Sequence, residues 1–136
     1  KDVNTETVDT LLKVLDEGIN EGENIEQLSA RVMDVFKTAT EGRARRIART
    51  ISTQSTNAGI DASFQEEAAL IEKKGWASSR DRNTRDAHAN ADGQEVAPTA
   101  LFLVGGESLR YPGDPNGSPG NIINCRCFVY PVKKSK

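Results

Sequence analysis

Glu72-Lys73-Lys74-Gly75-Trp76 is where the chain passes from one kind of pattern to another, and the fold class follows from what lies on its two sides. Glycine takes the left-handed cap conformation at little cost, and lysines suit the negative end of a helix. The stretch therefore reads as the stop of a long helix over residues 41–72, with Trp76 opening a short strand. Upstream, Ala44, Ile47, Ala48, Ile51, Ala58, Ala62 and Leu70 give that helix a small-residue apolar face, with Gly59 a weak point inside it. Further back, Val8, Leu11, Leu12, Leu15 and Ile19 recur at helical spacing and predict an amphipathic helix over residues 5–20. Asn24 followed by Gln27 has the form of a capping box, from which Ile25, Leu28, Val32, Val35 and Phe36 carry a second helix to about residue 37. Downstream, Tyr111-Pro112-Gly113-Asp114-Pro115-Asn116-Gly117-Ser118-Pro119-Gly120 is a loop fixed by turn chemistry, since each proline restricts φ and each glycine or asparagine permits positive φ. Residues 101–104 and 122–132 are the remaining strand candidates. The expectation is an α+β fold: N-terminal helices, one of them long, packed on a small and mostly antiparallel sheet with long ordered loops.

The bulk properties bound the rest. At 136 residues the chain is one domain's worth of sequence, and 36% apolar, 5% aromatic and 28% charged residues suit a helix-rich fold better than a β-sandwich. No run approaches the roughly 20 apolar residues of a membrane span, and no charged-then-apolar leader opens the sequence. A cytosolic or particle-borne protein is expected. The first residue is Lys1 rather than methionine, so the chain is expected to be a piece of a longer polypeptide. Net charge is −2, but residues 1–30 carry eight acidic side chains against two lysines, whereas residues 31–50 carry five arginines and one lysine against Asp34 and Glu41. An acidic arm precedes a basic patch, either as two solvated helix faces or as a docking surface for a charged partner.

The only two cysteines, Cys125 and Cys127, lie one residue apart in a run that reads as a strand. In a strand their side chains leave the same face, with Cα atoms roughly 6.6 Å apart, at the far edge of the about 4.4–6.8 Å that a relaxed disulfide accepts. Thiols or thiolates are the better reading. With the one histidine, His88, they supply three corners of a zinc tetrahedron, and Asp86 or a water supplies the fourth. Two other readings stand beside this: cysteines that are simply small buried hydrophobes, and catalysis. The catalytic forms are a His88 base among Asp81, Asp86 and Asp92 with Arg80, Arg82 and Arg85 binding phosphate, or a cysteine nucleophile activated by His88. The cluster Asp81, Thr84, Arg85 and Asn124, with Arg49, also reads as a polar centre pinning irregular backbone. Arg43, Arg45, Arg46 and Arg49 open the long helix without sharing one face; Arg43 and Arg46 are the candidates for a weak DNA contact.

Taken in order, Ala48-Arg49-Thr50, Gly75-Trp76, Asp81-x-x-Thr84-Arg85-Asp86-x-His88, Asp92-Gly93, Leu109-x-Tyr111-Pro112-Gly113-Asp114-Pro115 and Asn124-Cys125-Arg126-Cys127 resemble the phage Mu F-like family of minor head, or head morphogenesis, proteins. The resemblance covers about residues 43–132. It implies a domain over residues 41–132, preceded by a helical arm over residues 1–40; residues 133–136, Lys133-Lys134-Ser135-Lys136, are read from the sequence itself as a disordered tail. It further implies a virion component of a tailed phage or prophage, in the capsid interior and in host cytoplasm during assembly, whose partners are the portal protein and capsid or scaffold components. Such proteins are structural rather than enzymatic, although related domains occur fused to toxins. Motifs so far apart in sequence are expected to converge, with Cys125 and Cys127 packing beside the loop that bears His88.

Overall fold

The computed structural model describes residues 5–82 and 84–134. Among the described residues it is an α+β fold with five helices, one of them long, and small antiparallel sheets. The described chain divides into two compact units, with the division between Ser52 and Thr53.

In the first unit, helix α1 (Thr5–Asn20) spans the residues its apolar spacing predicts. Helix α2 (Ile25–Val35) starts on the capping box: Asn24 Oδ1 accepts from the Gln27 N–H at 2.9 Å, and Gln27 Oε1 accepts from the Asn24 N–H at 3.0 Å. Two orphan amides at the helix start are thereby satisfied within four residues of sequence. Leu11 and Leu15 of α1, Leu28 and Val32 of α2, and Ala44 and Ala48 at the start of helix α3 (Glu41–Glu66) close a single core. The alanines let the backbones approach, as their small side chains require.

The long helix ends six residues sooner than its composition suggests. After a turn at residues 67–70, residues 71–77 form strand β1 (Ile71–Ala77), so Lys73, Lys74 and Gly75 are strand residues rather than a helix cap, and Trp76 is the strand's sixth residue rather than its first. Pairing decides this. β1 is the centre of a three-stranded antiparallel sheet between β2 (Glu95–Val96) and β5 (Phe128–Lys133), and such non-local ladders override local helix preference. Gly75 has a specific reason to be glycine. It sits opposite Tyr130, and a Cβ there would lie 2.1 Å from the Tyr130 ring.

Strands β3 (Phe102–Val104) and β4 (Glu107–Leu109) form a hairpin closed by Gly105 and Gly106, with φ of 58° and 81°, as a two-residue hairpin turn demands. Short helices α4 (Asp86–Ala91) and α5 (Pro119–Ile122) flank the loops. Phe64, Trp76, Ala91, Phe102, Val104, Leu109 and Val129 enclose Cys125 and Cys127 in the core of this unit. Lys133 is paired with Ile71 and the Lys134 N–H reaches the Leu70 carbonyl at 3.1 Å, so the ladder extends into the expected tail; Ser135 and Lys136 lie outside the described residues, as do residues 1–4 of the arm.

Candidate metal centre

His88 is the third residue of α4 and is 1% exposed; Cys125 and Cys127 are 1% and 4% exposed. The two cysteines do not belong to a strand, contrary to the sequence reading. α5 ends, Asn124 takes φ of 58°, and the chain runs irregularly through residues 125–127 before β5 begins at Phe128. Asparagine tolerates that left-handed conformation better than most residues. Alternate burial nevertheless runs from Cys125 to Val129, so both sulfurs point inward. Two side chains one turn apart on α3 hold this irregular segment. Thr53 Oγ1 donates to the Cys125 carbonyl, and Asn57 Nδ2 donates to the carbonyls of Cys127 and Pro112, both at 3.1 Å, while Asn57 Oδ1 accepts from the Val129 N–H at 2.9 Å. Carbonyls drawn to the helix leave the thiols turned toward His88.

Both sulfurs face the same ring nitrogen. Cys125 Sγ lies 3.6 Å and Cys127 Sγ 3.4 Å from His88 Nδ1, and the three atoms are within 4.8 Å of one another. A single ring nitrogen has either one lone pair or one hydrogen, and cannot make two good hydrogen bonds at once. The spacing does suit a shared ion. Zinc holds sulfur at about 2.3 Å and nitrogen at about 2.0–2.1 Å, which at tetrahedral angles separates S from N by about 3.5–3.6 Å.

On the far side of the ring, His88 Nε2 is 3.3 Å from Asn121 Oδ1. The Asn121 Nδ2 donates to the Val104 carbonyl at 3.0 Å and to Glu107 Oε1 at 2.7 Å. Glu107 Oε1 also accepts from the Ser118 N–H and hydroxyl, and these bonds, the backbone one first, hold its carboxyl below the usual range. Trp76 stands edge-on to His88, with centroids 5.6 Å apart, and Phe102 edge-on to Trp76 at 5.4 Å, so the ring is walled by aromatic side chains.

The thiols share a proton unequally. A hydrogen bond from the Cys127 thiol, helped by the Cys127 backbone N–H at 3.4 Å, outweighs burial and pulls Cys125 down to about 5. Cys127 is pushed up by the neighbouring Cys125 sulfur and by burial. The buried Trp76 indole N–H favours a negative Cys127 sulfur without closing a hydrogen bond to it. A pair held as one thiolate and one thiol, beside an imidazole, is a natural donor set for a thiophilic cation.

The other expected residues fall elsewhere. Asp86 is exposed at the start of α4 and outside the cluster, so among the described residues the centre has three ligating side chains. Asp81 accepts from Arg126 Nη2 at 2.6 Å and from Thr84 Oγ1 at 3.2 Å, which ties the residue between the cysteines to the polar loop. Arg85 donates to the Ile123 carbonyl, and Arg80, at φ 58°, pairs with Asp92 at 3.0 Å. Asn83 lies outside the described residues. The imidazole nitrogens thus face sulfur and amide, not the Asp81, Asp86 and Asp92 carboxylates that a general-base reading needs. Arg49 is half-buried, Arg45 pairs with Glu26, and Arg43 and Arg46 are exposed.

A second buried network had no local signal. Lys74, fully buried, donates to Asp61 at 3.0 Å and to the Arg110 carbonyl at 2.7 Å, lies 5.3 Å from the Phe102 ring centroid, and has its ammonium pushed down by desolvation. Arg110 Nε reaches the other Asp61 oxygen at 3.2 Å, and the Asp114 carboxylate accepts from the Arg110 and Asn116 N–H groups. These bonds hold the Tyr-Pro-Gly-Asp-Pro loop in place.

Comparison with known proteins adds three findings. A family model described as Phage Mu protein F like protein matches residues 9–130, and so includes α2 and most of α1. The uncharacterized protein YqbB of Bacillus subtilis (strain 168) is 30% identical over 127 residues, 90% of this chain and 41% of that protein. The NAD(+)--arginine ADP-ribosyltransferase EFV of Enterococcus faecalis (strain ATCC 700802 / V583) is 30% identical over 117 residues, 85% of this chain and 24% of that protein. The chain therefore spans less than half the length of either relative. No solved structure matches.

Proposed function

Because the chain belongs to the family of phage Mu protein F-like proteins, we propose that it is a minor head component of a tailed phage or prophage whose core is pinned by a bound zinc ion. In this reading the domain associates with the portal or procapsid and assists head assembly or genome delivery. The observation that carries the metal is the convergence of His88 Nδ1 with the Cys125 and Cys127 sulfurs, all three buried. His88, Cys125 and Cys127 would hold the ion, which when bound supplies cross-linking between α4 and the segment before β5. Ligation ties an irregular stretch to a helix of only six residues, neither of which can be stable alone. Co-sedimentation with procapsids of the phage or prophage that encodes the chain tests the assembly role. The chain is expected in the procapsid fraction, and Cys125→Ser with Cys127→Ser should lose it; procapsids that form normally and never contain the chain would overturn the role.

Catalysis at the same centre is the second reading. It is favoured by a Cys125 thiol pulled down to about 5 beside an imidazole, and by one relative's name as an ADP-ribosyltransferase. Burial opposes it, since a nucleophile must meet its substrate. Iodoacetamide separates the two: a nucleophile is alkylated in the native protein, whereas metal-held cysteines become reactive only after chelation.

A further inference from the structure

We infer that Asn121, held by Glu107, is the positioning residue that keeps the His88 proton on Nε2 and so turns the Nδ1 lone pair toward the two sulfurs. The inference rests on the metal reading for its consequence but not for its geometry. The Asn121 amide can sit only one way. Its neighbours on one side, the Val104 carbonyl at 3.0 Å and Glu107 Oε1 at 2.7 Å, are both acceptors, so a flipped amide would set its oxygen against two others. Oδ1 must therefore face His88 Nε2, at 3.3 Å, and an acceptor there requires an Nε2–H donor.

Glu107 does more than orient the amide. Its carboxylate, anchored by the Ser118 N–H at 3.0 Å and hydroxyl at 3.1 Å, polarises the Asn121 amide and strengthens the acceptor that His88 meets. The negative charge is thus relayed through an amide to the ring, which makes Nδ1 a better donor to a cation. The hairpin turn is shaped around this relay. A Cβ on Gly105 would meet Asn121 Oδ1 at 3.3 Å and Nδ2 at 3.4 Å, besides the strain of its φ of 58°.

Because His88 is the only histidine, the test is unambiguous. Long-range proton–nitrogen NMR of the metal-free protein should show one imidazole with its proton on Nε2. Asn121→Ala should give a mixture of tautomers, and zinc affinity measured by competition with a chromophoric chelator should fall about 10–100-fold, the usual effect of an outer-shell change. Glu107→Gln, which keeps the shape and removes the charge, should retain the tautomer and lose several-fold in affinity. A merely structural asparagine would lower the melting temperature and leave the tautomer as it was. A proton on Nδ1 in the unaltered protein, or an unchanged tautomer in folded Asn121→Ala, overturns the inference. If the unaltered protein binds no zinc while the tautomer shifts in Asn121→Ala, the relay stands and the metal reading falls.

Discussion

Each cysteine at the centre carries a different share of the chemistry, and the difference is measurable through pH. Metal binding needs both sulfurs as thiolates. Cys125 is already low, at about 5, whereas Cys127 is raised and keeps its proton. At least one proton must therefore leave per ion, so affinity should rise by at least about tenfold per unit between about pH 6 and 8, and more steeply below Cys125's own range. A pH-independent affinity would show that the thiols are not the ligands. Cys127→Ser should weaken zinc binding by more than any outer-shell change, and Asp86→Asn should leave it unaltered, since that carboxylate is exposed and outside the cluster. Asn57, 1% exposed, bonds three backbone groups, and Asn57→Ala should cost about 2–4 kcal/mol in urea unfolding. That His88 meets the cysteines was readable through the resemblance, whose motifs lie so far apart in sequence that one domain implies their convergence. Asn57, Asn121 and Glu107 were not, because an amide's partner 33 or 70 residues away leaves no local pattern.

At the scale of elements, what the sequence revealed was what neighbouring residues decide. The Asn24/Gln27 capping box and the span of α1 are local, and both appear where expected, with Leu11 and Leu15 of the predicted stripe buried but Val8 and Leu12 exposed. The end of α3 is not local: Ile71-Glu72-Lys73-Lys74 suits a helix, and only pairing of β1 with β5 and β2 draws it into a strand. Gly75 then serves close packing rather than a cap. Gly75→Ala should displace the Tyr130 ring and cost about 1 kcal/mol, and the same change in a Tyr130→Ala background should cost less, because the clash is gone. Equal costs in the two backgrounds would mean that the ring does not define the position. The cysteine segment follows the same rule. Its alternation was legible, but its departure from the ladder depends on Thr53 and Asn57 of α3.

For the molecule as a whole, electrostatics and ligation make separate demands. Of the arginines that open α3, Arg43 and Arg46 are exposed, and two phosphate contacts give a salt slope of about −1.8 for duplex DNA. If this face contacts DNA, binding should be weak and should vanish in Arg43→Ala with Arg46→Ala; no binding even at low salt, the result expected, leaves it a protein-docking or solvated face. Ligation bears on stability directly, because an ion bound only by the folded chain stabilises it, and chelation should lower the melting temperature. The most direct test is elemental analysis of the chain purified without added metal, read together with its melting temperature before and after chelator. About one zinc per chain, released with a clear fall in melting temperature and absent from Cys125→Ser with Cys127→Ser, is the predicted result; a metal-free protein whose melting temperature ignores both chelator and added zinc would contradict it.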